Sequence, residues 1–212
     1  MKNSFFAILI FLIVHHGCKN KGKEKYFTGT LKYSYTYISD SLNTDSLKKL
    51  RPAKGYFRYD TSNYQNRFTG ADTFTYYYSG KLNKCLSESG SSKKYECEDY
   101  SIMTDSVLSV KDYATEEEIH GYSCRILELQ KKNSWVKYYY ATDMRIAPAT
   151  YKNHKAYNWD VYGTKANGGL ILKMEHRFKK FTMSGVADSL SIVKGDFKAL
   201  EIDEALFSEI CK

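Results

Sequence analysis

Between Gly29 and Ile38 the chain reads Gly-Thr-Leu-Lys-Tyr-Ser-Tyr-Thr-Tyr-Ile, with Leu31, Tyr33, Tyr35 and Tyr37 at every second place. That period puts the four large side chains on one face of an extended strand and Lys32, Ser34 and Thr36 on the other. A helix would scatter them. The same texture continues in short β-rich runs: 55–59, 64–69, 73–79, 83–86, 95–98, 122–129, 134–141, 168–178 and 181–193. Polar turns such as Thr61-Ser62-Asn63 and Gly70-Ala71-Asp72 separate the early runs at hairpin spacing. The expectation is a mainly β protein built on a single curved antiparallel sheet, an incomplete β-barrel with one or two helices covering its concave face. A closed up-and-down barrel is the competing architecture.

Two helices fit the remaining pattern. Residues 43–51 place Leu47 and Leu50 on one face, offer Thr44 or Asp45 as a cap, and stop at Pro52. Residues 203–210 offer Asp203 as a cap and turn Leu206, Phe207 and Ile210 inward. Residues 99–115 show no clean period. The stretch 143–163, with Pro148 and Trp159 in polar company, reads as a long loop, or a loop with a short helix, placed as a flap over a cavity.

The first 18 residues resemble a bacterial lipoprotein export signal. Lys2 precedes the apolar run Phe5 to Val14, which has the length of a signal-peptide core, and Gly17-Cys18 offers a small residue before a thiol. The resemblance implies cleavage before Cys18 and acylation of that cysteine as the lipid anchor. The expected organisation is therefore a signal peptide at 1–17, a lipid-anchored polar tether at 18–25 and one half-barrel domain at 26–212. Residues following Cys18 are basic, which favours the periplasmic side of the outer membrane, with the cell surface as the other location.

The four other cysteines, Cys85, Cys97, Cys124 and Cys211, make an even set for an oxidising compartment, in which three pairings are open. The local pairing joins Cys85 to Cys97 across the turn at 87–93, leaving Cys124 for Cys211. Net charge is +8. The basic residues are scattered and form no patch, so nucleic acid is not an expected partner. A solvated surface, or attraction to anionic headgroups or acidic glycans, accounts for the charge.

From Glu118 onward the chain resembles a group of Bacteroidota secreted and lipid-anchored proteins related to the outer-membrane lipoprotein sorting and carrier fold. The matching pieces are Ile119-His-Gly-Tyr-Ser-Cys124, Tyr138-Tyr-Tyr-Ala-Thr-Asp143, a loop holding Trp159, and Gly168-Gly-Leu-Ile-Leu-Lys173. Within the last piece, Gly169-Leu170-Ile171 matches the end of a Gly-Leu-Pro-Gly-Leu-Ile signature. The resemblance implies a half-barrel whose concave face accepts an acyl chain or another apolar ligand.

Chemistry-bearing motifs are sparse. Three Ser-x-x-Lys matches, at Ser46, Ser91 and Ser191, lack the companion motifs of serine acyl-enzymes, and Gly-x-Ser-x-Gly is absent. His120, His154 and His176 lie far apart, without metal-ligand spacing. No catalytic set, metal or cofactor is expected. The expected function is non-enzymatic binding of a lipid, lipoprotein acyl chain or other apolar molecule. Its lining is drawn by alternation from Leu31, Tyr33, Tyr35, Ile126, Tyr138, Tyr140, Leu170, Leu172 and Met174, with Trp159 from the flap. The alternative is a surface module that binds glycan or a partner protein through outward tyrosines, with 20 in the chain to draw on. Tyr77 and Tyr139, the middle residues of two three-tyrosine runs, should face away from their neighbours.

Overall fold

A computed structural model describes residues 26–90 and 94–212; the expected signal, Cys18 anchor and tether all lie outside the described residues. Eleven strands form one antiparallel sheet. In chain order they are β1 (Gly29–Ile38), β2 (Lys54–Tyr59), β3 (Asn63–Thr69), β4 (Phe74–Ser79), β5 (Lys84–Ser89), β6 (Tyr95–Asp99), β7 (Val107–Ile119), β8 (Tyr122–Lys131), β9 (Trp135–Arg145), β10 (Gly169–Arg177) and β11 (Thr182–Ile192). Their spatial order is β6-β5-β4-β3-β2-β1-β11-β10-β9-β8-β7. Two meanders are thus joined where the first strand meets the last, and β6 and β7 are unjoined edges, so the sheet is not a closed barrel.

Among the described residues three short α-helices complete it: α1 (Thr44–Leu50), α2 (Trp159–Lys165) and α3 (Glu204–Ile210). Asn43 caps α1 by accepting from the Ser46 amide at 3.0 Å, in place of the expected Thr44 or Asp45. Asp203 caps α3, accepting from the Ala205 amide. No helix among the described residues is long and apolar enough to cross a membrane.

The strand missing from the sequence reading is β7, 13 residues long. It is an edge, largely exposed on both faces, so neither side selects apolar residues and no period of two is written into it. Its turn into β8 is legible once the register is known. Ile119 pairs with Tyr122, and His120 and Gly121 take φ of 53° and 78°, the two left-handed residues of a tight hairpin.

The disulfide expectation is corrected. Cys97 bonds to Cys211, at the C-terminal end of α3, with Cα atoms 5.4 Å apart, and Cys85 and Cys124 are buried free thiols. Register decides this. Cys85 pairs with Glu98 and Leu86 with Cys97, so the two cysteines point to opposite faces of the hairpin. Cys97 lies with Leu86, Tyr77 and Phe207, beneath α3. Burial pushes the Cys85 thiol up to about 12, which keeps it protonated and unreactive.

Each face of the sheet therefore has its own cover. The C-terminal segment and α3 lie across one face, where the Arg58 guanidinium donates to the Ala199 carbonyl and to Glu201, and Phe207 is fully buried. The other face carries Tyr33, Tyr35, Phe57, Tyr64 and Tyr78 and is covered by α1, α2 and the segment around them.

Candidate functional site: an aromatic cavity under a flap

On that second face the side chains of β4 and of β9 line one cavity of about 510 Å³. In the sheet order those strands are six steps apart, about 29 Å if the sheet were flat. Both can line one cavity only because the sheet curls, which makes this its concave face. The lining is dominated by rings: Tyr33, Tyr35, Phe57, Tyr59, Tyr64 and Phe68 from the first meander, with Tyr138, Ile171, Met174 and Met183 from the second. Arg51 and Pro52, just after α1, border it.

Glycine makes room for one of these rings. Tyr35 lies across Gly185 and Gly55, where an added Cβ would come within 2.6 Å and 2.8 Å of its atoms. The ring thus rests on bare backbone of both neighbouring strands, a packing that any larger residue would lift.

Residues 146–168 form the flap. Two 3-10 turns, Pro148–Tyr151 and Ala156–Asn158, lead into α2. Tyr157 and Asn158 both hold left-handed backbone, with φ of 56° and 63°, and bring Tyr157 and Trp159 onto the cavity wall. The flap is anchored firmly. Trp159 stacks on Tyr151 at 5.4 Å and meets Tyr162 edge-on at 5.4 Å. Behind it the fully buried His154 sits 2.8 Å from the Tyr64 hydroxyl through Nε2, with Tyr78 and Tyr100 rings each 4.6 Å away. Burial lowers the His154 pKa to about 3, so the ring is neutral. Its Nδ1 has no hydrogen-bond partner.

Of the residues expected to line the site, Tyr33, Tyr35, Tyr138, Trp159 and Met174 do so. Leu31, Ile126, Tyr140, Leu170 and Leu172 are buried elsewhere. Leu31 shares the face of Tyr33 but is sealed in the core. Ile126 pairs with Tyr139, and Leu170 with Ala141, so both point away from the face of Tyr138. Tyr140 shares that face but packs edge-on against Tyr162 of α2, its hydroxyl 3.1 Å from both Asp112 oxygens.

Leu172 is displaced by a bulge. Ile171 pairs with Tyr140 and Lys173 with Tyr139, so β10 has one extra residue at this point. The bulge shifts the alternation, and Ile171 and Met174, three apart, share the cavity wall where Leu170, Leu172 and Met174 were expected. The missed lining residues on β2, β3 and β4 were visible as alternating aromatics. Lys131 and His176 gave no local signal.

The outward-facing tyrosines follow their parity. Tyr77 turns from the cavity onto the α3 side, and Tyr139 donates to Glu175 at 3.2 Å with Lys173 Nζ over its ring at 4.3 Å. Trp135 is held between Lys137 and Arg177, 5.3 Å and 5.4 Å from its ring. A second hollow, of about 440 Å³, lies on the α3 side. Its polar groups serve one another, Glu201 accepting from Arg58 at 2.5 Å and from Gln65 at 2.8 Å. Among the described residues no three His, Cys, Asp or Glu side chains are grouped to hold a metal ion.

The molecule thus has the form of an open antiparallel half-barrel with a covered concave face. No protein-family model matches the chain, and no curated protein matches it significantly. Similar solved structures include PNGF-II, with TM-score 0.43 and 10% identity over 86% of this chain and 32% of that one, so the chain spans about a third of that protein's length. LprF from Mycobacterium bovis is similar with TM-score 0.31 and 7% identity, covering 81% of this chain and 90% of that one. A domain described as an outer membrane lipoprotein-sorting protein, from Vibrio parahaemolyticus, gives 0.29 and 7%, covering 85% and 90%.

Proposed function

We propose that this is a non-enzymatic, lipid-anchored protein of the bacterial envelope that holds an apolar molecule, a lipid or a lipoprotein acyl chain, in the aromatic cavity. The observation that carries the proposal is the cavity itself. Its volume of about 510 Å³ suits a small apolar ligand, and its wall is assembled from strands of both meanders beneath a flap. The non-enzymatic reading is supported by the character of its oxygen-bearing groups. Burial raises the phenol pKa values of Tyr33, Tyr35, Tyr59 and Tyr138 well above their ordinary value, so none is a base near neutral pH. The anchor and the envelope location are supported by the apolar run Phe5 to Val14 and by Cys18, with the basic tether favouring the periplasmic side.

The test is native mass spectrometry with organic extraction of the protein isolated from its own membrane. One equivalent of a co-purified apolar molecule is expected, lost in Phe68→Glu, which puts a carboxylate in the wall at a half-buried position. Isolation without ligand, together with failure of the wild type to bind a neutral apolar fluorophore, would sink the proposal.

A further inference from the structure

One wall of the cavity does not match an uncharged ligand. Lys131, the last residue of β8, lines it and is only 4% exposed. The more open lysines on neighbouring strands are matched, Lys137 to Glu128 at 3.4 Å and Lys173 to Glu117 at 2.8 Å. Among the described residues no carboxylate lies within ion-pair distance of Lys131. Burial lowers the Lys131 pKa, and the acid whose charge opposes this, Asp105, is occupied by the Ser134 hydroxyl at 3.2 Å and the Asn133 amide at 3.4 Å.

His176 of β10 lines the same wall, its ring stacked on Phe178 at 4.0 Å and its Nε2 buried without a hydrogen-bond partner. The two groups sense each other: burial first, and then the Lys131 charge, bring the His176 pKa down to about 4. A buried ammonium beside a neutral imidazole, with neither satisfied by the protein, is costly unless something else supplies the counter-charge.

We propose that the ligand of this cavity is an amphiphile with a single carboxylate head, which pairs with Lys131 and receives a hydrogen bond from His176 while its apolar body lies along the aromatic wall. This rests on the apolar-ligand reading above and narrows it. One deep cation matches one negative charge, and the protonated imidazole that a doubly charged phosphate would favour is disfavoured by the same ammonium. Charge-assisted pairing at a lysine whose stem is buried and whose charge is unmatched adds both affinity and selection, because an uncharged head would leave Lys131 unpaired.

The experiment is displacement of the neutral fluorophore N-phenylnaphthylamine by laurate, methyl laurate or dodecanol, in the wild type and in Lys131→Met. Laurate should compete at least about tenfold better than either neutral molecule against the wild type. Lys131→Met should abolish that preference, weakening laurate about tenfold while dodecanol still binds, and should raise the thermal midpoint by removing an unpaired buried charge. If the wild type binds all three alike, or if Lys131→Met keeps its preference for laurate, the carboxylate assignment is wrong and the apolar-ligand reading stands. If no competitor displaces the probe and the probe itself does not bind, both readings fall. Should Lys131→Met not fold, the wild-type contrast between laurate and its methyl ester decides alone.

Discussion

Acid should loosen this protein well before its carboxylates protonate, and His154 is where the effect is largest. Burial among Tyr64, Tyr78 and Tyr100 keeps its imidazole neutral, with a pKa of about 3 against an ordinary 6.5. The unfolded chain binds a proton near pH 6.5 and the folded one does not, so protons favour unfolding. The stabilisation is full above the unfolded value and is lost as pH falls from there toward the folded value. Going from about pH 7.5 to about pH 5 costs the fold about 2 kcal/mol through His154 alone. His176, with a pKa of about 4, adds a similar loss over the same window. Carboxylates with lowered pKa, Asp99 and Asp188, act in the same direction but only in more acid solution.

Urea unfolding of the wild type at the two pH values should therefore differ by about 4 kcal/mol. The substitution His154→Gln keeps a polar partner for the Tyr64 hydroxyl and removes the titration. It should be less stable at neutral pH, since the ring contacts of His154 with Tyr64, Tyr78, Tyr100, Tyr151 and Trp159 are lost, yet show only about half of the wild-type pH dependence. An unchanged difference between the two pH values in the variant would refute the reasoning, because it would mean that His154 is protonated or exposed in the folded protein.

Reduction of the Cys97–Cys211 bond, or Cys97→Ser, opens a loop with a sequence separation of 114. It should cost about 4 to 5 kcal/mol on the chain-entropy account, read as a lower thermal midpoint under reducing conditions. Cys85 and Cys124 should escape alkylation in the native protein and both react in denaturant, which mass spectrometry of the adducts checks; labelling of either in the native state would contradict their burial. Gly185→Val should destabilise by about 2 kcal/mol or more, because its Cβ would sit 2.6 Å from the Tyr35 ring, and should change the cavity's binding of an apolar fluorophore as that ring is displaced. Leu172→Ala should lower stability by about 2 to 5 kcal/mol through the void it leaves, while ligand preference stays as in wild type, since that side chain is off the cavity.

Much of this architecture is written locally. The alternation in 29–38 sets which side chains of β1 are buried whatever the strand pairs with, because a pleated backbone offers only two directions. The polar turns set the hairpins, Asp203 and its apolar partners set α3, and the break at Pro52 ends α1 close to where the spacing says it should. Whether a large residue faces one way or the other is thus legible from its neighbours.

Which face becomes a cavity, and what meets across it, belongs to the tertiary structure. Cys97 and Cys85 are separated by a register parity that only the β5–β6 pairing fixes. Ile171 replaces Leu170 and Leu172 on the wall because a single bulge at Leu172 moves the alternation by one, and no local signal in β10 announces it. The edge strand β7, exposed on both sides, has no burial to impose a period. Lys131 follows an ordinary run of alternating strand residues, and it becomes a buried lysine without an ion-pair partner only because the end of β8 lies in the cavity wall. Backbone pleating acts over two residues and is readable in one dimension; curvature, register and burial are sums over the whole sheet, and they set the chemistry of the site.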